Sequence, residues 1–596
     1  MKNFFKSFFA SLVALFVFAG LGLVLLMTIA AMGSSKPSVP DKAVLVFDLS
    51  TSIPDSVQEA GPGEALQRAL QGGESEGLPL RTAILALDRA AKDPRIAALY
   101  LTGNVRSAGY SGGPAALKEL REALHRFKKD SGKPVLSYNQ GWSKREYYLC
   151  AGLGNLTVNP FGAVEISGLS SEPMFFGEAF KKYGIEVQVT KVGKYKSAVE
   201  PFILDKMSEP AREQSQKLLG DLWGEWKATV AADRKLTPEA IQKVADEQAV
   251  LMAAEAKQAG LVDKVAPYDE VLAELKRLTG KQDKDRDFPQ IELATYVQVP
   301  SDPQKGKNRI AILYAEGEIV DGDGGPGLIG GDKLSRELRR LRMDKAIKAV
   351  VLRVNSPGGS ATASEVIQRE VILTKKEKPV VVSMGHLAAS GGYWISTYGD
   401  RIFAEPTTIT GSIGVFGMLP NVKKLANEHG ITFDQVLTAK LGNVTTLYRP
   451  KTEAEIARIQ ALIDQIYDQF LTKVADSRKL PKDGVHEIAQ GRVWSGQEAL
   501  KLKLVDELGG LQDAIRHAAK LAKIEGDYRV DPPGAAKKPI EKIMEALGGE
   551  KHRPMAARLG PWGQLKGDFE QQVRMLGSLN DPMGIYARMP FELSLR

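Results

Sequence analysis

Short apolar runs alternate with amphipathic segments along the 596-residue chain, and this pattern predicts an α/β protein. Uninterrupted apolar runs are typical of buried parallel strands, which we expect at 43–49, 96–101, 134–138, 310–314, 347–354 and 380–383. Apolar residues spaced three to four positions apart predict helices at 80–92, 114–128, 333–341 and 361–375. The Gly-, Ser- and Pro-rich stretch 50–78 is interpreted as a surface loop.

The same order of strands and helices occurs twice. A shift of 246 residues places Val135 on Val381 and Gly168 on Gly414, among other matched pairs. We therefore predict two tandem copies of one α/β domain, each carrying a helical insert. The predicted copies are 41–290 and 306–530, and the inserts are 208–247 and 452–478.

The two ends of the chain differ from these copies. Lys2 and Lys6 precede an uncharged, mostly apolar stretch of about 25 residues, long enough to span a bilayer. We predict a cytoplasmic stub and transmembrane anchor over 1–35, with the remaining chain outside the cytoplasm. A cleaved signal sequence with a site near Ala30 is the alternative. The basic tail, 531–596, is expected to be partly ordered.

Composition excludes several classes of site. The net charge is +8, from 80 basic and 72 acidic residues, and no basic run is interleaved with aromatic residues, so nucleic acid is not an expected partner. The single cysteine, Cys150, rules out an internal disulfide. One thiol and six scattered histidines do not form a zinc cluster, and we predict neither a metal nor a cofactor.

A serine lies in a turn of small residues between a predicted strand and a predicted helix. Ala388 and Ala389 precede Ser390, and Gly391 follows it, so a substrate backbone could approach closely. The start of a helix also favours negative charge. We predict that Ser390 is a nucleophile, with a tight packing turn as the alternative. The 246-residue shift places Lys144 at this position in the first copy, so the scaffold does not require a serine there.

A serine nucleophile needs a base and donors for the developing charge. The Gly358-Gly359 turn can direct backbone N–H groups into a pocket, and the first copy has no equivalent turn. His386 is the nearest candidate base, but no obvious acid orients it. A buried lysine is the alternative base, and the stretch 191–202 offers Lys196, which the shift places on a glycine of the second copy. An exposed basic loop would explain this stretch equally well.

Three motifs together resemble the bacterial signal peptide peptidase A family in its long, double-repeat form: 194–202 (KYKSAVEPF), 355–360 (NSPGGS) and 388–393 (AASGGY). The resemblance implies a serine endopeptidase with a Ser/Lys dyad, each half folded like Clp protease and crotonase. It assigns Ser390 as nucleophile, Lys196 as general base and Ser412 as the residue that orients the lysine. It also implies an oxyanion hole formed by Gly358 or Gly359 together with Gly391.

The resemblance further implies the setting and the substrate. The enzyme would be a single-pass protein of the bacterial inner membrane, with a cytoplasmic N-terminus, periplasmic catalytic domains and a homotetrameric assembly. Its substrates would be remnant signal peptides, which are short and apolar. We expect apolar subsites, with these candidate lining residues: Leu387, Met384, Met418 and Leu419. The alternatives are an acyl-CoA enzyme of the crotonase type and an inactive membrane scaffold.

Overall fold

The computed structural model describes residues 17–18, 37–56, 77–105, 113–300, 306–530, 581 and 585–589. The predicted anchor over 1–35 lies outside the described residues except for positions 17 and 18, as does most of the tail. No helix within the described ranges is both long enough and apolar enough to cross a membrane.

The first half alternates strands and helices. Its strands are β1 (Ala43–Asp48), β2 (Ile96–Thr102), β3 (Val135–Trp142), β4 (Leu156–Glu165), β5 (Glu186–Lys191), β6 (Val250–Met252), β7 (Lys264–Val265) and β8 (Gln290–Glu292). Its helices are α1 (Leu80–Lys92), α2 (Pro114–Ser131), α3 (Lys144–Cys150), α4 (Gly177–Lys182), α5 (Glu200–Ile203), α6 (Glu209–Arg234), α7 (Pro238–Glu247), α8 (Ala253–Gln258), α9 (Tyr268–Leu278) and α10 (Leu293–Gln298).

The second half repeats this alternation. Its strands are β9 (Asn308–Glu316), β10 (Glu318–Val320), β11 (Leu328–Gly330), β12 (Ile347–Ser356), β13 (Gly358–Ser360), β14 (Val380–Ala389), β15 (Arg401–Ala404), β16 (Ile409–Gly411), β17 (Phe416–Asn421), β18 (Val493–Ser495), β19 (Glu507–Leu508) and β20 (Tyr528–Val530). One further strand, β21 (Ile585–Arg588), lies in the tail. The helices of the second half are α11 (Gly331–Met343), α12 (Ala361–Lys375), α13 (Gly391–Ser396), α14 (Lys423–Glu428), α15 (Glu453–Arg478), α16 (Lys482–Ile488), α17 (Gly496–Lys501) and α18 (Leu511–Leu521).

Each half has its own central sheet. The first follows the order β6-β4-β3-β2-β1-β8 and the second the order β18-β16-β14-β12-β9-β20, with β1–β4 parallel to one another and β9, β12 and β14 parallel to one another. Apolar side chains cover both faces of β12 and β14, because helices pack on both sides. The α/β architecture and its repetition are therefore as predicted, whereas the exact domain boundaries remain a prediction.

One predicted strand is longer than its sequence indicates. The apolar run 380–383 was expected to end before His386, but β14 continues to Ala389. Leu387 and Ala388 pair with Ile409 and Thr410 of β16. Small residues have weak strand propensity, and here pairing with a neighbouring strand outweighs it. The extension brings the chain to Ser390 without an intervening loop.

The helical inserts begin at capping side chains. Ser208 accepts a hydrogen bond from the N–H of Ala211 at the start of α6. Thr452 does the same for the N–H of Glu455 at the start of α15. A side-chain oxygen at this position satisfies a backbone donor that the helix itself cannot pair. Both inserts therefore start where the sequence offers a hydroxyl.

A third sheet combines strands of both halves, in the order β11-β10-β13-β21-β17-β5. Strand β5 of the first half pairs antiparallel with β17 of the second. The residues immediately after β5 are thereby brought close to the carboxyl ends of the second half's strands. The Lys-rich stretch that follows β5 lies here, so this sheet places first-half residues beside Ser390.

A buried charge cluster also joins the halves. Arg353 on β12 forms ion pairs with Asp55, at 2.8 Å, and with Glu119 on α2, at 2.6 Å. All three side chains are at most 4% exposed. The interpretation of 50–78 as a surface loop is thus wrong at Asp55, because that residue neutralises a buried guanidinium. Loss of one partner from such a cluster would leave an uncompensated buried charge.

Candidate active site

Ser390 lies at the junction of β14 and α13 in a strained backbone conformation. Its φ of 55° and ψ of −111° belong to a region that favours glycine. The Ser390 N–H donates to the Gly411 carbonyl at 2.8 Å, and its own carbonyl accepts from the Trp394 N–H at 2.7 Å. These bonds hold the residue in the strained conformation. The side chain, which is fully buried, is fixed at the start of α13.

The Lys196 amine lies between two serines. Lys196 Nζ is 2.8 Å from Ser390 Oγ, although the two residues are 194 positions apart. The same Nζ is 2.9 Å from Ser412 Oγ and 3.0 Å from the Ser412 carbonyl oxygen. The structure therefore brings together the three residues that the sequence analysis selected as nucleophile, base and orienting hydroxyl.

Burial controls the charge of this amine. Lys196 is 0% exposed, and removal from water lowers its pKa well below the ordinary 10.5, with a further lowering by the positive charge of Arg588. Among the described ion pairs none involves Lys196. The site therefore favours a neutral amine, which can accept a proton from a hydroxyl.

A short loop of the second half supports the lysine. The Tyr195 N–H donates to the Gln490 carbonyl at 3.0 Å. A Cβ added to Gly491 would lie 2.7 Å from Lys196 Cβ, so only glycine leaves room for the lysine backbone there. The Gln214 side chain on α6 donates to the Tyr195 carbonyl at 2.8 Å. These contacts fix the direction in which the Lys196 side chain enters the site.

The loop that supports Lys196 also holds Ser412. The Ser412 N–H donates to the Arg492 carbonyl at 2.6 Å. Ser412 has a φ of 51°, the left-handed region that non-glycine residues seldom occupy. Residues 490–492 therefore position the amine and the hydroxyl together.

Gly358 and Gly391 lie beside Ser390, and because they have no side chains, a substrate carbonyl could approach there. A Cβ added to Gly358 would lie 2.6 Å from the Gly391 nitrogen, so the two backbones are in close contact. Gly358 has a φ of 93° and its N–H donates to Ser356 Oγ at 3.1 Å, and Gly359 has a φ of 156°. The role of Gly358, Gly359 and Gly391 as an oxyanion hole remains a prediction.

The other predicted site residues are a candidate base, His386, and two candidate pocket residues, Leu387 and Met384. His386 packs against Gly113 of the first half, no described hydrogen bond joins it to Ser390, and burial lowers its pKa to about 4. Leu387 belongs to a small apolar cluster next to Ser390, together with Ala389. Met384 lies in the main core of the second half. The predicted pocket role of Leu387 and Met384 is untested.

The first half contains a related pair. Lys144 occupies the position that corresponds to Ser390, and its Nζ lies 2.8 Å from Ser167 Oγ. Glu165 approaches the amine at 3.8 Å and accepts a hydrogen bond from Ser167 Oγ at 2.7 Å. Burial lowers the Lys144 pKa, but the Glu165 charge acts in the opposite direction. This pair is thus a lysine and a serine with a carboxylate beside them.

Comparison with known proteins assigns the family. The model of peptidase family S49 matches residues 127–282 and 372–525, one segment in each half. The chain is 34% identical to Protease 4 of Salmonella typhi, over 92% of this chain and 90% of that protein. It is also 34% identical to Protease 4 of Haemophilus influenzae, over 97% and 96%. The chain belongs to peptidase family S49. It is therefore a peptide hydrolase built from two S49 segments.

The S49 segments include the central residues of the site. Lys196 lies in the first segment, and Ser390 and Ser412 lie in the second. The chloroplastic serine protease SPPA of Arabidopsis thaliana is 33% identical, over 79% of this chain and 71% of that protein. A solved structure of ClpP1 from Listeria monocytogenes matches 35% of this chain at 16% identity with a TM-score of 0.24. A score this low supports no conclusion, so the likeness of each half to Clp protease and crotonase stays a prediction.

One element that reaches this S49 site was not predicted from the sequence. Strand β21, from the tail, lies between β13 and β17 and is fully or almost fully buried. The available signal was a four-residue run, Ile585–Arg588, of mostly apolar residues in a Pro- and Gly-rich region. So short a run cannot be assigned to a strand by periodicity alone.

Proposed function

We propose that this S49 peptidase is a serine endopeptidase in which Ser390 is the nucleophile and Lys196 the general base. The observation that carries the proposal is the buried contact of 2.8 Å between Lys196 Nζ and Ser390 Oγ. A serine hydroxyl becomes an effective nucleophile when an adjacent base removes its proton. A lysine can be that base only if it is neutral, and burial without a paired carboxylate favours the neutral form.

The reaction begins with proton transfer. Neutral Lys196 takes the hydroxyl proton of Ser390 as Oγ attacks the carbonyl carbon of the peptide bond. The resulting ammonium then gives this proton to the leaving amine, and the carbon–nitrogen bond breaks. Water attacks the acyl-enzyme, its proton passes to Lys196, and Ser390 regains a proton as the carboxylic acid is released. Ser412 keeps the amine directed at Ser390 by its contacts to Nζ.

Backbone N–H groups stabilise the oxyanion that forms during each attack. Gly391, at the start of α13, and the Gly358-Gly359 turn contribute these donors in our proposal. Loss of one such donor typically costs about 3 kcal/mol of transition-state stabilisation. The close contact between Gly358 and Gly391 supports this assignment, because it places the Gly391 nitrogen beside the Gly358-Gly359 turn.

The substrate and the setting follow from the family resemblance of the three motifs. We propose that the substrates are short apolar peptides, the remnants of signal peptides after release from secreted proteins. A single-pass anchor over 1–35, a periplasmic catalytic region and a homotetramer are parts of the same proposal. A protease held at the bilayer surface would meet such peptides where they accumulate.

The test compares matched variants on an unfolded apolar peptide. Ser390→Ala and Lys196→Ala should each lose essentially all turnover, while Ser167→Ala, which removes the first-half hydroxyl, should retain wild-type turnover. Circular dichroism and thermal unfolding confirm that each variant is folded. Wild-type turnover in a folded Ser390→Ala or Lys196→Ala variant would contradict the assignment.

A further inference from the structure

Strand β14 contains a bulge shortly before the proposed nucleophile. Its pairing with β12 changes register there, because Val354 lies opposite Met384 but Ser356 lies opposite Ala388. Strand β12 thus advances by two residues while β14 advances by four, so β14 has two extra residues before it reaches Ser390. A bulge interrupts the pairing of a sheet and bends the strand. Buried N–H groups are almost always paired, so a group outside the two backbones must satisfy this one.

The side chain of Asn355 binds the bulge. Its Oδ1 accepts a hydrogen bond from the Leu387 N–H at 3.1 Å. Its Nδ2 donates to Oδ2 of Asp55, a residue of the first half, at 3.2 Å. Only this orientation of the amide satisfies both neighbours, since a carboxylate only accepts hydrogen bonds and a backbone N–H only donates them. Asp55 therefore determines which end of the Asn355 amide faces the bulge.

The two side chains are buried and lie against the backbone of the bulge. Asp55 is 2% exposed and Asn355 is 1% exposed. A Cβ added to Gly385, within the bulge, would lie 3.0 Å from Asp55 Oδ2 and 3.3 Å from Asn355 Cγ. The other carboxylate oxygen of Asp55 accepts from Arg353 at 2.8 Å, which fixes the carboxylate in turn. A series of hydrogen bonds thus runs from Arg353 through Asp55 and Asn355 to the Leu387 N–H.

This series ends between the two parts of the proposed active site. Asn355 precedes Gly358 of the Gly358-Gly359 turn by three residues, and Leu387 precedes Ser390 by three residues. The hydrogen bond from Leu387 to Asn355 therefore joins the segment that carries the nucleophile to the segment that carries the turn. A displacement of reacting groups by about 1 Å can lower a rate about 100-fold, so the spacing of these segments matters for catalysis.

We propose that Asp55 and Asn355 are positioning residues that set the distance between Ser390 and the Gly358-Gly359 turn. Asp55 orients the Asn355 amide, and the amide holds the bulge of β14 beside the end of β12. The first half then contributes to the site twice, because it supplies Lys196 and also aligns the nucleophile of the second half. This inference rests on the proposed function, which makes Ser390 the nucleophile and the turn part of the oxyanion hole.

Exchange of the two side chains gives the sharpest test. In Asp55→Asn the new amide keeps its oxygen toward Arg353, so its amino group faces the amino group of Asn355. In Asn355→Asp two carboxylates face each other. The double variant Asp55→Asn/Asn355→Asp restores the pattern with the roles reversed, because the amide at position 55 donates to a carboxylate that still accepts from the Leu387 N–H. It also retains the number of negative charges around Arg353.

The steady-state kinetics of a short apolar fluorogenic peptide, per folded molecule, give the readout. Each single variant should lower kcat about 10- to 100-fold at unchanged KM, because the misaligned groups act in the transition state. The double variant should recover most of the lost kcat. A double variant that is no faster than the single variants, or single variants with wild-type kcat, would overturn the proposal.

Glu119→Gln is the matched control for the loss of a charge. Glu119 pairs with the same guanidinium at 2.6 Å, but none of its described hydrogen bonds involves Asn355. This variant should lose thermal stability, as Asp55→Asn does, and keep the wild-type kcat in the folded enzyme. A cluster with only a structural role would give the same kcat in both folded variants. Equal kcat values for Asp55→Asn and Glu119→Gln would therefore contradict the positioning role.

Asn355→Ala decides the question if a charge variant does not fold. It removes the amide but leaves both ion pairs of Arg353 in place. Its kcat should fall about 10- to 100-fold at unchanged KM, and wild-type kcat in the folded protein would overturn the proposal. Addition of Ser390→Ala separates the two levels of the account. Turnover that survives this addition refutes Ser390 as nucleophile, whereas wild-type turnover of Asn355→Ala that Ser390→Ala abolishes refutes only the positioning role.

Discussion

Each half of this S49 peptidase contains a lysine amine 2.8 Å from a serine hydroxyl, but the two pairs have different surroundings. Lys196 and Ser390 are 0% exposed and have a second hydroxyl, Ser412, as their polar neighbour. Lys144 has a side chain that is 13% exposed and lies 3.8 Å from the carboxylate of Glu165. The contact between amine and hydroxyl is common to both pairs. A neutral amine requires burial without a negative charge, which only the Lys196 pair provides.

The largest expected effect comes from removing each amine in turn. Lys196→Met should lower kcat/KM for an apolar peptide by up to about 10⁴-fold, the contribution of a general base. The matched variant Lys144→Met should retain wild-type activity. Lys144 lies in the first half, beside the Glu165 carboxylate, and is not the base that acts on Ser390 in our proposal. A large loss in folded Lys144→Met would show that the two pairs do not differ in the way we describe.

The second prediction gives the Lys196 pair the surroundings of the Lys144 pair. Ser412→Asp places a carboxylate beside Lys196 Nζ, and Ser412→Asn places a neutral group of the same size there. Both residues tolerate the positive φ at this position. The new charge should raise the Lys196 pKa by about one to three units. Activity at neutral pH should then fall below that of the Asn variant, by about 10-fold for each unit by which the raised pKa exceeds the assay pH.

The pH profile of these two variants supplies the check. Activity requires neutral Lys196 and is lost as the pH falls through the lysine pKa. The acidic limb of kcat/KM should therefore lie at higher pH in Ser412→Asp than in Ser412→Asn. Coincident limbs would show that charge beside Lys196 does not control the site.

A smaller effect concerns stability as a function of pH. The Lys196 pKa is lowered in the folded protein, so between this lowered pKa and pH 10.5 the unfolded chain binds a proton that the folded chain does not. The stability of the wild type relative to Lys196→Met should therefore rise with pH, by about 1.4 kcal/mol per unit between the lowered folded pKa and the ordinary value. Thermal unfolding of both proteins across this range measures it. A constant difference would mean that Lys196 is charged when folded.

The smallest effect isolates backbone strain at the nucleophile. Ser390→Ala and Ser390→Gly both remove the hydroxyl, but only glycine adopts a φ of 55° and ψ of −111° without strain. The glycine variant should be the more stable by about 1 kcal/mol. Glycine relieves the backbone strain of the folded state, but it also makes the unfolded chain more flexible, which offsets part of this gain in stability. Urea unfolding compares the two. An alanine variant of equal or greater stability would show that the residue is not strained.

Much of the fold could be predicted because it depends on local patterns. The helices 80–92 and 361–375 were predicted with the bounds that the structure shows, since their apolar spacing is regular. The internal repeat also supported the choice of Lys196. A comparison of the two copies places this lysine on a glycine of the second copy, so only the first copy retains it. The full length of β14 could not be predicted, since its last residues are small and are held by pairing with β16.

Long-range contacts account for what the sequence did not show. The ion pair of Arg353 with Asp55 joins residues 298 positions apart, and nothing near Asp55 indicates burial. The insertion of β21 beside Gly358 depends on a slot that exists only after β13 and β17 are folded. The spacing of apolar residues shows which face of a segment is buried. The burial of Asp55 and the insertion of β21 depend instead on distant parts of the folded chain, which the spacing within each segment does not show.

The most direct test of the central claim, that Lys196 is a neutral base acting on Ser390, is the pH dependence of covalent modification by a serine-directed fluorophosphonate. Mass spectrometry identifies the modified residue and gives the rate at each pH. The account predicts modification at Ser390, with an acidic limb whose pKa lies well below the ordinary 10.5 of lysine, and loss of that limb in Lys196→Met. Modification of another residue, or an unchanged limb in Lys196→Met, would contradict it.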